Sequence, residues 1–137
     1  MDDVARRIAE RRIVLAASTL DEAATLIEQQ RWRGALNRLY YAAFYAARAL
    51  LATRDLEAAK HSGVIALFQQ HFVKTAMVDP QIARALPQTF EARVAGDYDD
   101  TSDPTEDQVR CARDDVERFV AECRTVLERL IASSEQS

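Results

Sequence analysis

Three short groups of residues in this 137-residue chain carry side chains able to meet a charged ligand. Asn37, Arg38, Tyr41, Tyr45 and Arg48 stand at offsets of three, four and seven, which gathers them on one side of a helix. Two arginines, an amide and two phenols offer charge for phosphates and rings for base stacking. The alternative is interhelical packing, with half-buried tyrosines and arginines reaching out to water. Lys60-His61-Ser62 falls where a helix should begin, so free N–H groups and a neighbouring lysine could hold an anion. A His or Ser there also serves as a plain cap. In Arg93-Val94-Ala95-Gly96-Asp97-Tyr98, Arg93 and Asp97 lie one turn apart and could pair, though base before acid is the weaker helical order. Gly96 costs that turn about 1 kcal/mol relative to alanine.

The elements that must position these groups read as helices. Glycine and proline number three each, too few for a sandwich or barrel, and good helix formers dominate. Residues 3–29 suggest a first helix with Val4, Ile8, Leu15, Leu20, Ala23, Ala24 and Ile27 as its apolar positions, and a possible break at Ser18-Thr19. In 31–51, Trp32, Leu36, Leu39, Ala43, Ala46 and Leu50 alternate steps of four and three as a core stripe. A polar connection over 53–59 leads to a third helix through Val64, Ile65, Leu67, Phe68, Phe72 and Val73. Asp79-Pro80 signals a fourth helix running to about Tyr98, kinked by Pro87. After an acidic loop over 97–103, Asp103-Pro104 repeats the signal, with Asp103 as N-cap and Glu106 completing a capping box. The last helix, 104 to about 132, carries Val109, Ala112, Val116, Phe119, Cys123, Val126 and Leu130, and residues 133–137 should fray. The expectation is one all-α domain over 1–137, an antiparallel up-and-down bundle of four to five helices.

Net charge is −4, with +2 on residues 1–60 and −6 on 61–137. A local basic face is thereby compatible with an acidic whole, whereas a generic polyanion binder would be basic throughout. No run approaches the ~20 apolar residues of a membrane span, and the start lacks a signal-peptide pattern. Cys111 and Cys123 lie about 18 Å apart along one helix, so they form no bridge within it and point to a reducing, cytoplasmic setting. Two cysteines and two histidines without close pairing argue against a metal site, and nothing calls for a cofactor.

Four segments in order resemble the HEPN domain family: the stretch from Asn37-Arg38-Leu39-Tyr40-Tyr41 to Leu51, then Lys60-His61-Ser62-Gly63-Val64-Ile65, Phe72-Val73-Lys74-Thr75, and Arg93 to Tyr98. The likeness spans about residues 20–130 and is nearest to short stand-alone members. It implies a bundle that forms a homodimer and works on RNA or nucleotides, commonly as the toxin half of a toxin–antitoxin pair. The usual partner is a minimal nucleotidyltransferase acting as antitoxin. Active members are metal-independent ribonucleases with an Arg-x(4–6)-His motif, in which arginine stabilises phosphate charge and histidine transfers protons.

The chain departs from that motif. Arg93 matches the arginine, but no histidine follows it, and Asp97 or Tyr98 stands in its place. Aspartate repels an anionic backbone, and tyrosine, with a pKa of about 10, is a poor base at neutral pH. His61 or His71 would serve only if the fold carried it to Arg93. The resemblance therefore implies a binding partner protein, with Arg93, Asp97 and Tyr98 as candidate catalytic positions and Asn37, Arg38, Tyr41, Lys60 and His61 as candidate nucleotide- or RNA-binding residues. Tyr98 is also the candidate acceptor of AMP from the partner. The alternatives are a metal-independent endoribonuclease with a degenerate site, and a structural helical dimer.

Overall fold

The computed structural model describes residues 1–98 and 103–136, with side chains for all of these except 96–98. Helices make up the described residues, with no strand among them: α1 (Asp3–Glu28), α2 (Trp32–Ala52), α3 (His61–Phe68), a π turn (Gln69–Val73), α4 (Pro80–Ala83), α5 (Ala85–Tyr98) and α6 (Glu106–Gln136). None is long and apolar enough to cross a membrane.

Helix α2 is the axis of the bundle, because alanine covers most of its circumference and lets neighbours approach on several sides. Ala35, Ala42, Ala43, Ala46, Ala47 and Ala49 are all fully buried along it. The α1 helix runs antiparallel to it, which places Arg12 beside Arg48 at one end and Glu22 beside Arg38 at the other. The long α6 runs antiparallel to α1, and its last turn meets the first turn of α1 where Arg6 pairs with Glu135 at 3.3 Å. That contact accompanies helix out to Gln136, beyond the end expected near 132. The predicted core stripes of α2 and α6 are inside, apart from the half-buried Trp32, Ala112 and Leu130.

In its first half the face of α1 differs from the expected one, while Ala23 and Ile27 are buried as expected. Val4, Ile8 and Leu15 are exposed, and the buried stripe is Ala5, Ala9, Ile13, Ala16, Thr19, Ala23 and Ile27. Alanine wins because α1 lies close against the alanine-rich α2, where a longer side chain would hold the axes apart. There is no break at Ser18-Thr19, since the Thr19 hydroxyl donates back to the Leu15 carbonyl at 2.7 Å inside a continuous helix.

Two helix starts also shift. Asp79 caps α4 as expected, accepting from the Gln81 N–H at 2.8 Å. The single kinked helix, however, is two helices parted at Arg84. Proline at 87 has no N–H for the Ala83 carbonyl and crowds it, so the chain breaks one turn earlier and Pro87 falls in the first turn of α5. At α6 the capping box belongs to Thr105 and Gln108. The Thr105 hydroxyl accepts from Gln108 backbone N–H at 3.2 Å, and the Gln108 side-chain Oε1 accepts from Thr105 N–H at 2.9 Å. Asp103 instead meets Arg33 at 3.0 Å.

Candidate functional site

The site is assembled by α2, the start of α3 and α5. Tyr40 occupies the core side of α2 and is fully buried, so its hydroxyl requires a partner. It finds His61 Nδ1, at 3.0 Å, where the first turn of α3 crosses α2. The imidazole lies over Phe44, with ring centroids 4.4 Å apart. From the other side, the Arg93 guanidinium of α5 sits over the Tyr40 ring at 5.1 Å and the Tyr41 ring at 5.4 Å. The fold thus joins Arg93 to His61 through Tyr40. His71 is elsewhere, in the π turn, where its carbonyl accepts from Arg54 and Thr75.

The electrostatics fix the protonation. Burial pushes the Tyr40 phenol well above its ordinary value, with Arg93 opposing the shift, so the hydroxyl keeps its proton. Burial, then the charges of Arg93 and Arg48, lower the pKa of His61. A neutral imidazole facing a protonated phenol accepts at Nδ1 and therefore carries its own proton on Nε2. His61 is in this way set as a hydrogen-bond donor, and its basic nitrogen is already engaged.

The surrounding arginines divide into two kinds. Glu57 meets Arg12 at 2.9 Å and Arg48 at 3.4 Å, and the Arg12 hydrogen bond leads the causes that lower its pKa. Arg38 meets Glu22 at 3.5 Å while lying 5.2 Å over the Tyr41 ring. Among the described side chains, which leave out that of Asp97, no carboxylate is within ion-pair distance of Arg93, and aromatic faces lie against it.

Of the predicted residues, Arg38, Tyr41, His61 and Arg93 come together around Tyr40. Asn37 joins Arg93, Arg33, Gly34, Leu36 and Ala92 along a groove of about 310 Å³. Lys60 stands exposed at the head of α3, which has no side-chain cap on its first N–H groups. The backbone of α5 extends through Asp97 and Tyr98, whose side chains, like most of the expected acidic loop, lie outside the described residues. Tyr40, Phe44 and Phe90 were not singled out from sequence, because they sit inside a continuous apolar pattern. A lone tyrosine on a core stripe, needing a polar partner, was the available signal. Glu57 gave no signal at all.

Most of the chain, Arg93 included, falls within a match to known proteins. The family model described as the HEPN domain matches residues 9–127. A UPF0332 protein of Thermotoga maritima is 40% identical over 95 residues, covering 69% of this chain and 72% of its own. A protein of Methanocaldococcus jannaschii named "Putative toxin MJ0605" is 33% identical over 119 residues, 87% of this chain and 88% of that one. The UPF0332 protein glr0978 of Gloeobacter violaceus is 31% identical over 107 residues, covering 78% and 80%. With the match running through every helix that builds the site, the chain belongs to the HEPN domain family.

Proposed function

We propose that this chain is a toxin-like HEPN protein that binds RNA or a nucleotide at the Arg93 cluster, as a homodimer and as partner to a minimal nucleotidyltransferase. The observation that carries the binding reading is Arg93. It is a cation without a carboxylate among the described side chains, which leave out that of Asp97, and it lies over Tyr40 and Tyr41, with His61 hydrogen-bonded to the same Tyr40. Such a site offers a phosphate one charged and one neutral donor, and offers a base the half-buried rings of Tyr41 and Tyr45, 5.9 Å apart. The relative named as a toxin supports the toxin-like part of the reading. Tyr98, five residues beyond Arg93, remains the proposed acceptor of AMP, and an AMP mass shift confined to a peptide lacking Tyr98 would remove it.

Binding is favoured over cleavage because general-base work needs a free ring nitrogen, and the Tyr40 hydroxyl occupies Nδ1. A second reading, metal-independent endoribonuclease, draws on the same fact that an imidazole does reach the Arg93 cluster. One experiment separates them: a labelled single-stranded RNA in excess EDTA, with wild type beside Arg93→Ala. Saturable binding without cutting, weakened at least about tenfold in the variant, is the expected result. Cutting lost in the variant would replace the binding reading with the enzyme. Folded wild type that neither binds nor cuts would refute both.

A further inference from the structure

Along most of its length, helix α2 is open to solvent on one side alone. From Asn37 to its end at Ala52, every residue is buried except Asn37, Arg38, Tyr41, Tyr45 and Arg48. With about 3.6 residues per turn, the last four of these fall within about 80° of the helix circumference, so the open side is one continuous stripe. Its two ends are built alike. Arg38 lies over the Tyr41 ring and meets Glu22 of α1 at 3.5 Å. Arg48 lies over the Phe44 ring and meets Glu57 at 3.4 Å, with Arg12 of α1 beside it. Ten residues separate the two arginines on α2, and ten separate Glu22 from Arg12 on the antiparallel α1. Both helices therefore set the two cationic levels about 15 Å apart. Between them stand the half-buried rings of Tyr41 and Tyr45.

That arrangement selects the ligand. The phosphates of a single nucleotide are gathered at one end of it, so it serves one level and not both. A phosphodiester chain carries a phosphate at every residue and can serve both while its bases meet the rings between. A duplex keeps its bases stacked inside, out of reach of those rings. The local charge suits a polyanion, since α1 and α2 lie in the half of the chain that carries +2. Both arginines already face carboxylates, but Glu22 and Glu57 are 54% and 60% exposed. Ion pairs so open to water contribute little, so a phosphate can take their place at small cost. We infer that one single-stranded RNA lies along this stripe, with Arg38 and Arg48 each on a phosphate and Tyr41 and Tyr45 against the bases between, and that Glu22 and Glu57 are the carboxylates it displaces. This inference rests on the binding reading above, narrows its ligand to an RNA chain and extends the site to Arg48.

The test is fluorescence anisotropy of the full chain with a labelled octauridylate, competed by unlabelled octauridylate or by uridine monophosphate. Wild type should hold the octamer at least about tenfold more tightly, because it alone reaches both arginines. Arg48→Ala should weaken the octamer about three- to tenfold, reduce the steepness of its salt dependence by about 0.7 in the log–log slope, and leave the monophosphate unchanged. Glu57→Gln keeps a hydrogen-bonding side chain beside Arg12 and should strengthen the octamer about threefold. Arg110→Ala and Glu106→Gln, from an exposed pair on α6, control for general charge and should have smaller effects. Circular dichroism establishes that each variant is folded. An octamer weakened by Arg93→Ala but indifferent to Arg48→Ala, or as sensitive to Arg110→Ala, would overturn the stripe while leaving the Arg93 reading intact. A monophosphate that competes as well as the octamer would do the same. A Glu57→Gln effect no larger than that of Glu106→Gln would overturn the displaced carboxylates. Folded wild type that binds neither probe would overturn both readings.

Discussion

Tyr40 and His61, twenty-one residues apart in the chain, are joined by a 3.0 Å hydrogen bond between the buried phenol and Nδ1 of the imidazole. Burial holds the phenol protonated, and among the described residues His61 Nδ1 is the one acceptor in reach of that proton, which assigns Tyr40 as donor and His61 as acceptor. The Arg93 guanidinium packs over the same phenol ring. One buried tyrosine therefore sets both the tautomer of the histidine and the seat of the arginine.

Replacing Tyr40 by Phe keeps the ring beneath Arg93 and removes only the donor. The expected cost is about 1–2 kcal/mol, for a hydrogen bond whose remaining partner is part-buried. Because the lost bond favoured neutral imidazole, the pKa of His61 should rise. An NMR titration of the His61 ring protons reads the shift, and chemical denaturation reads the stability. A fall in the His61 pKa would contradict the donor assignment.

Stability should also respond to mild acid through His61. Its folded pKa lies below the ordinary histidine value of about 6.5, so between the two the unfolded chain binds more protons. Stability from this residue is fully present above about pH 6.5 and declines as pH falls from there toward the folded pKa. Denaturation midpoints from neutral pH downward should show that decline, and His61→Gln should flatten it.

The cap of α6 gives a clean contrast between two neighbouring residues. Thr105→Ala removes the hydroxyl that accepts from Gln108 N–H and should cost about 1 kcal/mol. Asp103→Ala breaks a pair whose side chains are 45% and 70% exposed, and should shift the unfolding midpoint little. Equal effects at the two positions would return the cap to Asp103.

What the sequence made legible follows the size of the side chains. In α2 and α6, Leu, Val and Phe mark the buried face, and their spacing located the core. In α1 the buried face is mostly alanine, a residue equally at home on a surface, so Val4, Ile8 and Leu15 drew attention to the wrong side. The Arg84 break follows from a rule known in advance, that proline disturbs the turn before it rather than its own position. In the site, Arg38, Tyr41, His61 and Arg93 were visible by type, but their meeting was not. It depends on a crossing of α3 over α2 that no local spacing encodes, and on Tyr40, which its apolar neighbours concealed.

Among the described residues, three non-glycine ones hold left-handed backbone: Gln30 at φ 58°, Asp55 at 55° and Ala76 at 62°. Gln30 follows the end of α1, where Arg31 N–H returns to the Leu26 carbonyl and Gln30 N–H to the Ile27 carbonyl, the closing pattern that glycine serves best. Gln30→Gly and Ala76→Gly should each stabilise the fold, by up to about 1 kcal/mol, because a Cβ is disfavoured there. Thermal melts decide it, and a loss of that size would show that the side chains matter more than the backbone.

The last expectation concerns the two arginines that bear on His61. Arg93 acts on the imidazole more than Arg48 does, and Arg48 is also engaged with Glu57. Removing either positive charge relieves repulsion of the protonated ring, so Arg93→Ala and Arg48→Ala should both raise the His61 pKa, Arg93→Ala further. Glu57→Gln should act in the opposite direction, because it leaves the charge of Arg48, which bears on the ring, uncompensated. Ring-proton titrations of the three variants, run at low salt to limit screening, give the order directly. A larger rise in Arg48→Ala than in Arg93→Ala would mean that the guanidinium over Tyr40 is not the cation His61 senses most.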